Sequence, residues 1–247
     1  MRNHLSLRSG NPALNKNTFK GLHTHNNQIM TIDGTVNKTS LALIILLFSS
    51  YYTYSTSNTN FIFMGMIAGV ILAIATIVKK QWAPITVPLY AICQGLALGG
   101  ISAIYDNMYT GIVQQAIFLT FGIFTALLFA YKTKIIRATE NFKLGVFAAT
   151  GGIAIVYFIS FIMSFFGSGL SIMNIQNASM ISIGFSFFVV IIASLNLVLD
   201  FDFIEEACEA GVPKYMEWYA TFGLLITLIW LYLEILRLLA KLQSRRN

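Results

Sequence analysis

Charge is what this sequence has least of. Lys, Arg, Asp and Glu make up 11% of its 247 residues, where a soluble domain carries about 25%. So few charges cannot clothe a globule of this length in water, which excludes an ordinary soluble fold. Histidine is almost as scarce. The three present, His4, His23 and His25, precede the first apolar run. That excludes Ser-His catalysis and an H-E-x-x-H zinc site within the apolar segments. His23-Thr24-His25 could hold a metal only weakly. There is no glycine-rich phosphate loop and no G-x-S-x-G elbow. Two cysteines, one in an apolar run (Cys93) and one in a charged stretch (Cys208), give no disulfide framework. The net charge of +6 does not indicate nucleic acid, because the basic residues sit in the gaps between apolar runs and form no stripe.

What is abundant is apolar length. The sequence is 56% hydrophobic, with a mean hydropathy of +0.70. Seven apolar runs follow one another at about 40–57, 60–78, 84–104, 111–131, 145–166, 179–203 and 215–240. Each reaches or approaches the roughly 20 residues that cross about 30 Å of hydrocarbon as a helix. Backbone amides find no water there, so each run must satisfy its own hydrogen bonds, and strand propensity is overridden. The expected fold is all-α, a polytopic membrane bundle of seven transmembrane helices. Residues 1–38 are polar and Asn-rich and do not have the pattern of a cleaved leader. They are expected to form a mostly disordered cytoplasmic tail, followed by the transmembrane domain at 39–243 and a basic end at 244–247.

Lys and Arg alternate between the gaps. The tail has Arg2, Arg8, Lys16, Lys20 and Lys38; the second gap Lys79 and Lys80; the fourth Lys132, Lys134, Arg137 and Lys143; the sixth Lys214. The first, third and fifth gaps have none. By the positive-inside rule the N-terminus and the even gaps are cytoplasmic. The end of the chain resists this rule. Arg237, Lys241, Arg245 and Arg246 fall outside if all seven runs span, and inside if one segment is re-entrant.

Acidic residues cluster in one place, Leu199-Asp200-Phe201-Asp202-Phe203-Ile204-Glu205-Glu206, at the end of the sixth run. Ionisable groups at membrane depth are costly and line cavities or pathways. Gly211-Val212-Pro213 reads as a helix stop and restart. If the helix continues to Ala210, Asp200 lies roughly 15 Å before its end. A hairpin about Gly211 then sets it level with Gly223 to Thr227. Asn196 is one turn deeper on the same face. Asp202 points about 160° away, and it, Glu205, Glu206 and Glu209 also fit the interfacial end of a helix. Glu234 sits in the last run with Arg237 three residues on, close enough for a local helix-surface pair. Gly65-x-x-x-Gly69 and Gly95-x-x-x-Gly99 permit close helix crossing.

Ser9-Gly10-Asn11-Pro12, the stretch Met30 to Thr39, the stretch Leu195 to Glu205, and Pro213-Lys214-Tyr215-Met216-Glu217-Trp218-Tyr219 with its continuation to Leu242 resemble the bacterial Bax inhibitor-1/YccA-like family. The resemblance covers nearly the whole chain. It implies seven spans with the last one central, in the bacterial inner membrane, and a non-enzymatic, pH-sensitive calcium leak with no cofactor. It further implies an aspartate on the sixth span and one on the seventh that share a proton, because two carboxylates in contact cannot both ionise cheaply. Asp200 matches the first through its spacing to Ile204 and is the candidate calcium ligand. Two registers compete for the second: Leu231-Tyr232-Leu233-Glu234 puts Glu234 there, whereas the Leu236-Arg237 end puts Thr227 there. The hairpin depth favours Thr227, which would leave the acidic pair incomplete. Lys79 or Lys80 corresponds to a basic partner near the end of the second span. The candidate pathway or gate is therefore Asp200, Asn196, Asp202, Glu205, Thr227 and Glu234. An alternative is a non-conducting regulator that binds another membrane protein, such as a quality-control protease, through the tail or the basic residues of the fourth gap. An intramembrane aspartyl protease would need a Gly-x-Gly-Asp run, which is absent.

Overall fold

The computed structural model describes residues 29–167 and 169–246. Seven long helices account for most of them: α1 (Ile32–Thr56), α2 (Asn60–Val78), α3 (Ala83–Met108), α4 (Ile112–Lys132), α5 (Glu140–Ser164), α6 (Met180–Glu209) and α7 (Met216–Arg246). All seven are long and apolar enough to cross a membrane. No strand occurs among the described residues, only an isolated antiparallel bridge between Ile29 and Pro213. The chain is an all-α, multi-pass membrane protein whose environment is a lipid bilayer.

The helix ends follow local chemistry. Thr31 caps α1, its side chain accepting from the Gly34 amide, with Asp33 in the first turn. Thr139 caps α5 in the same way through the Phe142 amide. Gly211, at φ +64°, lies in the turn between α6 and α7, so the expected stop and restart are both present. Two boundaries differ from the sequence expectation. α1 starts at Ile32, so residues 32–38 are helix rather than tail; the tail residues 1–28 lie outside those described. α5 starts at Glu140, so Lys143 is a helical residue, 3% exposed, rather than a cation of the fourth gap.

The described chain forms two compact units. One holds α1, α2 and α3 with Asp202–Ile226, the junction of α6 and α7. The other holds α4, α5, α6 as far as Phe201, and α7 from Thr227. Both α6 and α7 thus contribute to each unit. In the first, Gly95 and Gly99 of α3 lie against the α1 backbone at Leu46 and Ser50, and Gly65 of α2 lies against the Cys93 carbonyl. The crossings expected from the two Gly-x-x-x-Gly pairs are therefore made. Rising numbers pair with rising numbers between α1 and α3, where Tyr54 donates to Asp106 at 2.8 Å. They pair with falling numbers between α2 and α3, where Thr76 donates to Thr86 at 2.7 Å. That is the alternation of a chain crossing back and forth.

In the second unit Ile153 of α5 packs with Val189 and Ile192 of α6, and Trp230 of α7 lies against them. Asn196 donates through Nδ2 to Thr150 Oγ1 and to the Ile192 carbonyl, both at 2.8 Å. Hydrogen bonds between membrane helices contribute about 0.6 kcal/mol on average. Replacing Thr150 by Val should therefore cost less than about 1 kcal/mol in a detergent unfolding titration. A loss several times larger would mean that the bond does more than join two helices.

Burial separates the helices. In α3, α6 and α7, 56% of the most apolar stretch is inside the protein, against 11–22% in the other four.

Candidate functional site

α6 runs unbroken from Met180 to Glu209 and carries the acidic cluster on its last three turns. Asp200 is 0% exposed and Asn196 2%. Asp202 is half-buried, Glu206 likewise, and Glu205 and Glu209 are exposed. The angular argument from sequence is reproduced: Asp200 and Asn196 share the inward side, and the other acids turn outward toward the end of the helix. Asp200 precedes Glu209 by nine residues, roughly 14 Å of helix. Its neighbour Phe201 packs against Phe124 and Tyr131 of α4, at 5.7 and 5.9 Å between ring centroids. Thr227 of α7 is also buried, at 2% exposure. Oδ1 of Asn196 is buried and meets no donor among the described residues. On a neutral side chain this leaves an acceptor available for an incoming donor or cation.

Glu234 belongs to a separate cluster. It is 2% exposed and accepts from Tyr157 of α5 at 2.6 Å. Arg237 donates to both of its oxygens, at 2.8 and 3.0 Å, and to the Tyr157 oxygen at 2.9 Å. The expected pairing with Arg237 is present, but as part of an internal three-residue network and not on the helix surface. Tyr157 was not singled out by sequence, because nothing distinguishes it from the other aromatic residues of an apolar run.

Lys241 is the second residue the sequence placed differently. It is 0% exposed, and Nζ donates to the carbonyls of Ile172 and Ser182, at 2.7 and 3.2 Å, and to Ser186 Oγ at 2.8 Å. Three ammonium protons meet three oxygens. Lys241 therefore ties the connection before α6 to α7. Neither it nor Arg237 behaves as a loop cation, so two of the four basic residues that resisted the positive-inside pattern leave that count.

A third polar cluster lies in the other unit. Glu217, 0% exposed at the start of α7, accepts from the Thr31 amide and hydroxyl, each at 3.0 Å, and pairs with Lys38. Lys38 also lies 5.9 Å from the centroid of the Trp218 ring. Near the same helix start Lys80 faces the Tyr219 ring, and Lys79 faces Trp82. Cys93 and Cys208 are both free thiols. No three His, Cys, Asp or Glu side chains group together among the described residues.

These observations define a seven-helix integral membrane protein with a buried acidic position on its sixth helix. Within that class the chain belongs to the Bax inhibitor 1 like family, whose model matches residues 11–244. No curated protein and no solved structure matches it.

Proposed function

We propose that the protein is a non-enzymatic cation leak, for calcium foremost, with Asp200 in the pathway or gate. The observation that carries this reading is a fully buried carboxylate on a membrane helix, one turn from a buried Asn196 with an acceptor to spare. A hard carboxylate oxygen with neutral oxygens beside it suits a cation that must enter and leave. Membership of the family supports the same reading, as does the confinement of the other acids to the half-buried and exposed end of α6. In this reading the protein sits in the bacterial inner membrane with its N-terminus cytoplasmic.

In this reading Asp200 and Glu234 do not form a shared-proton pair. Glu234 already accepts from Tyr157 and Arg237, which favours the register in which Thr227, a group that does not ionise, matches the second position. Sensitivity to pH then rests on the Asp200 carboxylate. The test is calcium-dye flux in liposomes holding the purified protein. Wild type should exceed empty liposomes and change from mildly acid to mildly alkaline pH, and Asp200→Asn should remove that dependence. Flux equal to empty liposomes, or a pH profile untouched by Asp200→Asn, ends the proposal.

A further inference from the structure

Asn196 is anchored by one end of its amide and left open at the other. Nδ2 commits both of its protons, to Thr150 Oγ1 and to the Ile192 carbonyl, at 2.8 Å each. Oδ1 is buried and meets no donor among the described residues. The orientation of the amide follows from chemistry. A backbone carbonyl accepts and never donates, so the atom facing Ile192 must be the nitrogen. Turning the amide over would set its oxygen against the carbonyl oxygen. Oδ1 is thus fixed on the side of the planar amide away from the Ile192 carbonyl. The frame around it is packed: Ile192 lies with Val189 against Ile153, one turn from Thr150 on α5. A buried acceptor without a donor is a standing cost to a folded protein. A residue that only joined α5 to α6 would need the nitrogen alone, and the amide oxygen is surplus to that task.

We propose that Asn196 Oδ1 is a cation ligand that sets the preference of the pathway for calcium over monovalent cations, and that Thr150 is the positioning residue that holds it. This rests on the cation leak proposed above, with Asp200 on the next turn of α6. Asn196 and Asp200 are 2% and 0% exposed, and their spacing of four puts them on one face of the helix. An amide oxygen is a hard, neutral ligand of the kind calcium takes beside carboxylates. Its effect depends on the charge of the ion. A carboxylate by itself attracts any cation. A divalent ion loses far more hydration than potassium does on leaving water, so each protein oxygen that replaces a water counts for more. The oxygen is also held ready. Two acceptors pin Nδ2, so Oδ1 has little freedom to lose when an ion arrives.

Matched liposomes holding the full chain, one set with a calcium dye and one with a potassium dye, test this. Asn196→Leu keeps a branched side chain and removes both polar atoms. It should lower the ratio of calcium to potassium flux by about tenfold, the order of one contact to a charged group. Thr150→Val removes one of the two anchors and should lower the ratio by about threefold, half that effect on a logarithmic scale. Thr150→Ser keeps the hydroxyl and should restore it. A merely structural role would change both fluxes alike and leave the ratio where it was. Thr150→Val carries the test if Asn196→Leu does not fold. A ratio unchanged in both variants, in a protein whose flux still responds to Asp200→Asn, overturns the role of Asn196 and leaves the leak standing. A ratio lowered by Asn196→Leu but untouched by Thr150→Val keeps the ligand and overturns its holder. Wild-type flux equal to empty liposomes overturns the leak and this role with it.

Discussion

Replacing Arg237 by Ala should lower the unfolding free energy by about 3–5 kcal/mol, the cost of leaving a buried charge without its partner. Glu234 is 2% exposed, and its described donors are Tyr157 and Arg237. Without the guanidinium the carboxylate keeps one neutral donor in a medium that cannot solvate it. The Tyr157 oxygen loses a donor at the same time. Because the loss comes from a stranded charge, it should be largely recovered when Glu234 is removed too. The double variant Glu234→Leu with Arg237→Leu should therefore unfold nearer to wild type than Arg237→Ala alone. Tyr157→Phe removes one hydrogen bond and no charge, so it should cost only about 1 kcal/mol. Reversible unfolding in mixed micelles orders the three variants. If Arg237→Ala costs no more than Tyr157→Phe, water reaches Glu234 and the cluster is not a closed interior network.

The sequence and the structure agree where the physics is local. Seven apolar runs of spanning length become seven helices because lipid leaves the backbone no alternative. The stop at Gly211 and the restart after Pro213 depend on one or two residues and were readable. So was the separation of Asp200 from Asp202, which needs only the helical angle. The two glycine pairs pointed to close crossings, and α1, α2 and α3 make them. What could not be read is pairing across long stretches of chain. Thr31 and Glu217 are 186 residues apart, and without that partner nothing in Met30-Thr31-Ile32 says that helix begins at Ile32, ahead of the apolar run. Lys143 and Lys241 looked like loop cations because a lysine next to an apolar run snorkels to the surface by default. Their burial follows from neighbours on other helices: for Lys241 these are the Ile172 and Ser182 carbonyls and Ser186. Lipid-exposed helices are apolar all round, so the pattern that marks the inner face of a soluble helix is missing. For that reason Tyr157 and Thr150 were not distinguishable from lipid-facing residues.

Gly99→Leu should be the most damaging substitution in the α1–α3 contact, exceeding the about 1–3 kcal/mol typical of overpacked sites. A Cβ at Gly99 would run into the backbone of Ser50, and one at Gly95 into the Leu46 carbonyl. Side chains can change rotamer to admit extra volume, but a helix backbone cannot, because each of its amides is committed within its own helix. The only relief is to move α1 away from α3. That movement would strain the Tyr54–Asp106 hydrogen bond further along the same contact. It would also lose close packing along the whole pair, and packing is what joins helices in a solvent as apolar as they are. Gly99→Ala, which adds a single methyl group, should fall inside the overpacking range. Gly122→Leu is the matched control: it lies in the middle of α4 with open space where its Cβ would go, and should change stability by no more than about 0.5 kcal/mol. Unfolding titrations of the three variants separate a steric cost at one helix contact from a general intolerance of leucine in these helices. Equal losses at Gly99 and Gly122 would refute the close α1–α3 crossing, whereas a large loss at Gly99 alone ties the cost to the Ser50 backbone that its Cβ would meet.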